Sequence, residues 1–284
     1  MLETSAPPRL LVEPIVRAAL LEDIGRGGDL TTDAIVPANR RATARLAARK
    51  AGVVAGTDCA RIAFELLDAT STLDVRTPDG MRVAAGDTIA VIESSARALL
   101  TAERTALNFL SHCSGIATAT RALVTAVEGY TARIVCTRKT TPGLRVLEKY
   151  AVRCGGGANH RFGLDDAVLV KDNHLAIAGS IRAAVEAVRQ RAGHMVRIEV
   201  EVDTLEQLAE VLDVRVDAVL LDNMTPAILR EAVGMAGGRL TTEASGNITA
   251  QTVRAIAETG VDLISAGWIT HSAPALDIGL DVEA

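Results

Sequence analysis

Four segments of similar design occupy the second half of the chain: VRIEVEVDTLEQL (196–208), DAVLLDNMTPAIL (217–229), RLTTEASGNITAQ (239–251) and VDLISAGWITHSA (261–273). Each opens with a short run of residues that favour a β-strand, and the first three continue into sequence with helical character. Polar residues stand at or just past the strand ends, 21, 21 and 22 positions apart: Glu201, Asp222, Glu243 and Ser265. A period of this length indicates one β/α unit used repeatedly.

The same alternation extends back to residue 132. The predicted strands are 132–137, 167–170, 196–202, 218–221, 239–243 and 262–265. The predicted helices are 144–153, 180–191, 205–212, 226–235 and 250–258. Strands that alternate with helices form a parallel sheet with right-handed crossovers. Six or seven units in about 150 residues favour a compact (β/α) barrel, while an open doubly wound sheet fits the same pattern.

The first hundred residues predict a mixed α/β structure. A helix is expected over 14–23, and a long helix is expected over 98–127, with Gly115 as a point of interruption. Between them stand short apolar segments of β type, at 42–48, 52–55 and 88–93. We therefore predict an N-terminal α/β domain over residues 1–110 and a barrel domain over 111–273, with the tail 274–284 packing back on the first domain.

Composition excludes several classes of partner. A net charge of −5 with 2% aromatic residues argues against nucleic-acid binding. The apolar runs are far shorter than the roughly 20 residues that cross a membrane. The N-terminus shows no signal peptide, and the four cysteines are scattered without a C-x-x-C pair, so we expect a cytoplasmic protein with buried free thiols.

In a barrel, the residues that carry chemistry follow the carboxyl ends of the strands. Here these positions hold basic residues, two carboxylates (Glu201 and Asp222) and two small glycine-containing loops. Glycine loops that lead into helices expose backbone N–H groups and suit a phosphate. Two carboxylates could hold Mg²⁺ together with substrate phosphates, and arginine suits bidentate capture of a carboxylate. The pattern predicts a phosphorylated, metal-chelating substrate and a second, carboxylate-bearing one.

Each of these residues also has an ordinary structural interpretation. Glu201, Asp222, Ser245 or Ser265 alone could be a helix cap. The run Gly155–Gly157 could be a flexible loop, and His160 alone could be a structural histidine. The agreement of several strand ends on one chemistry is what favours a functional site.

One long segment carries a family resemblance. The sequence TRKTTPGLRVLEKYAVRCGGGANHRFGL (137–164) resembles the signature of the quinolinate phosphoribosyltransferase family. The resemblance continues in AERTALNFLSHCSGIAT, LVKDNH, EVEVDTLEQL, LLDNM, EASGNIT and GVDLISAGWITHSAPALDIGLD. It covers most of the chain in the expected order. It implies an enzyme that couples quinolinate to phosphoribosyl pyrophosphate and releases pyrophosphate and carbon dioxide, giving nicotinate mononucleotide for NAD biosynthesis.

The resemblance also implies the architecture and the quinolinate site. The fold would be an N-terminal α/β domain with an incomplete, roughly seven-stranded barrel. The assembly would be a homodimer with shared active sites, with higher assemblies left open. Arg138, His160 and Arg161 resemble the group that holds the two carboxylates of quinolinate. Arg104 resembles the arginine that reaches this substrate from the neighbouring subunit.

For phosphoribosyl pyrophosphate, the resemblance implies two further groups. Lys139 and Lys171 resemble the lysines that face this substrate and the reacting centre, and Glu201 and Asp222 resemble the acidic pair that binds ribose hydroxyls and Mg²⁺. The loops expected to hold the 5-phosphate contain Ser245, Gly246, Asn247, Ser265 and Gly267. Two positions depart from the family pattern, Cys136 and Trp268, and Trp268 could narrow the mouth of the phosphate site.

Other functions were weighed on the same framework. In a related protein associated with molybdenum transport, we expect a different residue at the position that Asn159 occupies in this chain. A non-catalytic phosphate-binding barrel should have lost at least one of Lys139, Lys171, Glu201 and Asp222, yet all four are present. A nicotinate-specific transferase differs in its motifs over the whole length.

Overall fold

The computed structural model describes residues 5–283 of the chain, which divide into two compact units. The first unit comprises residues 5–121, 140–156 and 269–283, and the second comprises residues 122–139 and 157–268. Within the described residues, no helix combines the length and the apolar composition needed to cross a membrane.

The first unit is built on an antiparallel sheet. Its strands are β1 (Arg41–Ala48), β2 (Gly52–Val53), β3 (Thr72–Val75), β4 (Arg82–Val83), β5 (Thr88–Ser95) and β12 (Ile278–Glu283). Its helices are α1 (Arg9–Ile24), α2 (Leu30–Ile35), α3 (Thr57–Leu67), α4 (Ala96–Ala126, whose last residues belong to the second unit) and α5 (Arg145–Cys154). Four strands pair in the order β12-β1-β5-β3, and β2 pairs with β4.

The long predicted helix is present as α4, and Gly115 does not interrupt it. A Cβ at this position would overlap the carbonyl oxygen of Pro274, so the glycine lets the C-terminal segment pass close against the helix. Helices α2 and α3 were not predicted. Asp29 caps α2 by accepting from the Thr32 N–H, and Asp79, distant in sequence, accepts from the first N–H groups of α3.

The second unit is a parallel sheet wrapped by helices. Its strands are β6 (Arg133–Val135), β7 (Val168–Val170), β8 (Ile198–Val202), β9 (Ala218–Asp222), β10 (Thr241–Ser245) and β11 (Leu263–Ser265). Its helices are α6 (Asp172–Ala178), α7 (Ile181–Arg189), α8 (Leu205–Val214), α9 (Pro226–Ala236) and α10 (Val253–Ala257), and α11 (Trp268–His271) begins at its last residue.

Strand order decides between the two predicted architectures. The six strands pair in the order β6-β11-β10-β9-β8-β7, so the first strand lies beside the last, as in a barrel. A seventh position follows β6, where Ala158 forms a parallel bridge with Val135. The predicted fold class, a mixed α/β N-terminal part with an incomplete barrel, is confirmed, and the doubly wound alternative is wrong for this chain.

Local sequence explains why each barrel helix begins where it does. Ser180, Thr204 and Thr225 accept a hydrogen bond from the backbone N–H three residues later, at the starts of α7, α8 and α9. Helix α10 is shorter than predicted, because Thr249 and Thr252 bond each other's backbone N–H groups and form a separate turn before it. Helix α6 was not predicted.

Candidate active site

A cavity of about 360 Å³ opens at the carboxyl ends of the barrel strands. Every residue around it belongs to the second unit. The lining residues are Thr137, Arg138, Lys139, His160, Arg161, Leu169, Lys171, Glu201, Leu220, Asp222, Glu243, Ser245 and Ser265. The structure thus brings the predicted basic residues other than Arg104, the predicted acidic pair and the two predicted serines to one place.

The basic side of the cavity is formed by Arg138 and Arg161. Burial lowers the pKa of Arg161, and the nearby charge of Arg138 lowers it further. Arg161 Nη1 donates to the carbonyl of Ala167 at 3.1 Å, and the loop that carries Arg161 is closed by Asp166, which accepts from the Phe162 and Gly163 N–H groups. Two guanidinium groups this close form a site suited to a ligand with more than one negative charge.

The acidic side of the cavity is formed by Glu201 on β8 and Asp222 on β9. Lys171 Nζ donates to Glu201 Oε2 at 2.7 Å, and Asn223 Nδ2 donates to Asp222 Oδ2 at 2.6 Å. Lys171 itself is placed by His174, whose Nδ1 accepts from the Lys171 N–H. Carboxylate oxygens on neighbouring strands are the donors that a hard cation such as Mg²⁺ prefers.

Beneath the mouth lies a buried group of His160, Glu199 and Glu243. His160 Nε2 is 2.8 Å from Glu199 Oε2 and 3.8 Å from Glu243 Oε1. Glu243 is 1% exposed, and its Oε1 has no hydrogen-bond partner among the described residues. Burial raises the pKa of Glu243 to about 7, and the charge of Glu199 contributes to the increase. This carboxyl therefore keeps its proton at pH values where an ordinary glutamate has lost it.

The two glycine loops follow β10 and β11. Gly246 has φ +94° and lies against Asn223, whose Oδ1 accepts from Asn247 Nδ2 at 3.3 Å. Asn223 and Asn247 also have positive φ, of 54° and 53°, a conformation that asparagine tolerates better than most residues. Gly267 leaves room for Lys139, since a Cβ there would lie 2.9 Å from Lys139 Cδ. Gly246, Asn247 and Gly267 thus lie beside the cavity residues without lining the cavity.

Three further residues singled out from sequence have defined positions. Arg104 lies on α4 in the first unit, where it lines two smaller cavities. Trp268 does not line the barrel cavity; its Nε1 donates to the carbonyl of Ile248 and links the two glycine loops. Cys136 donates to Asn159 Oδ1 at 3.3 Å. The Gly155–Gly157 run has a structural reason as well, because a Cβ on Gly155 would overlap Thr120 of α4.

Sequence reasoning missed Glu199, Asn223, His174 and the role of Glu243 as a buried acid. A signal existed for Glu199, because it stands two residues before Glu201 in IEVEV and alternate residues of a strand face the same side. Asn223 and His174 stand within the quoted motifs LLDNM and LVKDNH, but nothing local indicates their partners.

Comparison with known proteins identifies relatives over the whole chain. The model of the quinolinate phosphoribosyl transferase C-terminal domain matches residues 116–281, and that of the N-terminal domain matches residues 29–114. A probable nicotinate-nucleotide pyrophosphorylase [carboxylating] of Bacillus subtilis is 44% identical, with 96% of this chain and 94% of the relative covered. The nicotinate-nucleotide pyrophosphorylase [carboxylating] of Mycobacterium leprae is 46% identical, with 94% and 95% covered.

A solved structure agrees. NadC from Streptococcus pyogenes superposes with a TM-score of 0.94 at 40% identity, covering 99% of this chain and 100% of its own. Fold, site and relatives together define a phosphoribosyltransferase of the α/β-barrel type. The chain belongs to the quinolinate phosphoribosyltransferase family, as its motifs predict.

Proposed function

We propose that this enzyme couples quinolinate to phosphoribosyl pyrophosphate and releases pyrophosphate and carbon dioxide, yielding nicotinate mononucleotide for NAD biosynthesis. The observation that carries the proposal is one cavity that both the Arg138–Arg161 pair and the Glu201–Asp222 pair line. The first pair suits a dicarboxylate, and the second suits a ribose bearing a chelating pyrophosphate. Members of this family combine these two substrates.

The reaction needs positioning more than covalent help from the protein. The ring nitrogen of quinolinate attacks C1 of the ribose as pyrophosphate leaves, and the transition state has oxocarbenium character. Glu201 and Asp222 would stabilise that developing positive charge electrostatically. Holding both substrates in line can supply about 7–11 kcal/mol of the barrier.

Decarboxylation follows from the charge on the alkylated ring. The positive ring nitrogen withdraws electrons from the adjacent carbon, so the carboxylate there leaves as carbon dioxide and the resulting carbanion takes up a proton. Lys139 and Lys171, which both line the cavity, are the cations available to stabilise that carbanion. We assign this step to the lysine pair without dividing it between them.

The arginine pair explains the choice of acid. When nicotinate binds with a single carboxylate, one half-buried guanidinium group loses its anionic partner, and unmet polar groups of this kind discriminate strongly between ligands. Arg138 and Arg161 would therefore select quinolinate. The family resemblance implies that His160 belongs to the same group.

The donor set fits Mg²⁺. Glu201 and Asp222 would hold it, because both are partly buried carboxylates on adjacent strands and both line the cavity. When bound with phosphoribosyl pyrophosphate, the cation would offset the negative charge of the pyrophosphate. Lys171 and Asn223 each hold one of the two carboxylates in place.

We further propose a cytoplasmic homodimer in which Arg104 reaches the partner's quinolinate. Exposed apolar side chains on α1 and α2 support an assembly, since they include Leu10 (83% exposed), Leu30 (77%) and Ile35 (73%). Four buried free cysteines fit a reducing compartment. Hybrid dimers of Arg104→Ala and Lys171→Ala subunits should regain activity, because one site in each hybrid then has both residues; failure to regain it would count against the shared site.

The test of the function is direct. Purified protein is mixed with quinolinate, phosphoribosyl pyrophosphate and Mg²⁺, and nicotinate mononucleotide and carbon dioxide are followed, with nicotinate as the parallel substrate. Turnover of quinolinate alone is expected. No product from either acid, with intact binding of phosphoribosyl pyrophosphate, would reject the proposal and leave a phosphate-binding barrel of another function.

A further inference from the structure

A buried chain of hydrogen bonds runs beneath the arginine pair, from Glu199 through His160 to Arg161. Glu199 Oε2 is 2.8 Å from His160 Nε2, and His160 Nδ1 accepts the backbone N–H of Arg161 at 2.7 Å. The side chains of His160 and Glu199 are 13% and 11% exposed. We refer to these contacts as the Glu199–His160–Arg161 chain. It shields the imidazole from solvent and engages both of its ring nitrogens.

The chain decides the tautomer of His160. A backbone N–H can only donate, so Nδ1 must present its lone pair and carry no proton. The single ring proton therefore sits on Nε2, where it is donated to Glu199. Glu199 and Glu243 are acidic groups beside this ring, and Glu243 Oε1, at 3.8 Å, is beyond hydrogen-bond distance.

A neutral imidazole with both nitrogens engaged is poorly suited to bind a substrate carboxylate. Arg161 is better suited to bind a substrate carboxylate, because its Nε is buried and has no hydrogen-bond partner among the described residues. Its Nη1 is fixed on the carbonyl of Ala167, and its backbone N–H is fixed by His160. Arg161 is thus held at its backbone N–H and at Nη1, which leaves Nε as a donor for a ligand.

We propose that Glu199 is a positioning residue for quinolinate recognition, acting through His160 on Arg161, and that His160 contributes by the same route and not as a direct ligand. This inference rests on the proposed function. It assigns His160 a role different from the one that the family motif implies. His160, Glu199 and Glu243 have possible metal-ligand atoms within 4.8 Å of one another. A cation bound there would require His160 Nε2 to lose the proton that it donates to Glu199.

Kinetics of paired variants test the role of Glu199. Glu199→Met keeps the side-chain length and removes the acceptor, so KM for quinolinate should rise about tenfold or more, with kcat and KM for phosphoribosyl pyrophosphate within about twofold. Glu199→Gln keeps an acceptor oxygen and should restore most of the affinity. Glu201→Gln is the matched control on the same strand face, and it should raise KM for phosphoribosyl pyrophosphate instead.

The tautomer is tested separately by nitrogen NMR on protein labelled at histidine, with His160 assigned by its loss in His160→Gln. The expected result is an Nε2–H tautomer in the free enzyme and with quinolinate bound. A second proton on Nδ1 when quinolinate binds would overturn the inference, as would a Glu199→Met variant that raises both KM values equally. Turnover by the unmodified enzyme is measured first, so failure of the proposed function would be recognised separately, and the NMR result does not require Glu199→Met to fold.

Discussion

Lys171 Nζ lies 2.7 Å from Glu201 Oε2, joining the ends of neighbouring strands β7 and β8 at the cavity. The Lys171 side chain is 47% exposed, and a half-solvated ion pair of this kind contributes about 0–1 kcal/mol to stability. The position of the Lys171–Glu201 pair at the cavity therefore explains this contact better than any gain in folding free energy. Glu201 is held in place by this lysine and so has a defined orientation at the cavity.

Replacing Lys171 should separate activity from stability. Lys171→Met is expected to lower kcat by about 100-fold or more, because a positioned cation at the reacting centre is lost. The melting temperature should change by no more than about 2–4 °C, since a surface pair is worth at most about 1 kcal/mol. Thermal unfolding and the mononucleotide assay check both values. Lys50→Met, an exposed lysine of the first unit, is the control, and equal loss of activity there would contradict the prediction.

Asn223 is expected to organise the phosphoribosyl side of the site. It donates to Asp222 and accepts from Asn247, so Asn223→Ala should raise KM for phosphoribosyl pyrophosphate about tenfold. The alanine would also be strained at φ 54°. Asn223→Gly removes that strain while still lacking the side chain. Wild-type kinetics in Asn223→Gly would mean that the hydrogen bonds are dispensable.

Gly267 should be sensitive to a single methyl group. The Cβ of Gly267→Ala would lie 2.9 Å from Lys139 Cδ and 3.3 Å from Thr137 Oγ1, so Lys139 would have to shift. We expect kcat to fall about tenfold, which corresponds to about 1.4 kcal/mol of barrier. Gly234→Ala on α9 is the matched control, because nothing lies within 4 Å of its new Cβ. That variant should keep full activity and gain roughly 0.5–1 kcal/mol of stability.

Glu243 should make stability depend on pH. Its pKa is raised to about 7 by burial and by Glu199, against the usual value of 4.5, so the folded protein binds more protons than the unfolded chain between these values. The contribution of this group to the free energy of unfolding is fully present below pH 4.5 and is lost as the pH rises through about 7. Glu243→Gln should therefore be more stable than wild type at pH 8, by on the order of 1–3 kcal/mol, and similar at pH 5. Melting temperatures of the two proteins at the two pH values check this. If the variant and the wild type differ by the same amount at both pH values, Glu243 is not the source of the pH dependence.

Much of the barrel could be predicted because its signals are local. The polar residues at the ends of the last four strands repeat every 21 or 22 residues, and each of the helices α7, α8 and α9 begins at a serine or threonine cap. In a parallel barrel the strand ends meet at one mouth, so Glu201 and Asp222 could be placed together before any coordinates were known. The family motifs then gave those positions chemical roles.

Other features depend on partners that are distant in sequence. Helix α3 begins where Asp79 reaches Gly56, and strand β12 pairs with β1 through Ile278 and Ala48. Neither contact has a local periodic signal, because side-chain caps and antiparallel pairing are completed only when remote segments meet. The short helix α2 was also missed, because six residues carry too little periodicity.

The sequence by itself determined the repeated β/α units, the strand-end chemistry and the family. Only the tertiary structure decided the order of the strands and the tautomer of His160. The Nε2 proton of that tautomer is donated to Glu199, which stands 39 positions away and faces the same barrel interior. A hydrogen bond between such residues is set by side-chain direction and burial in three dimensions, and neither is encoded in any single stretch of the chain.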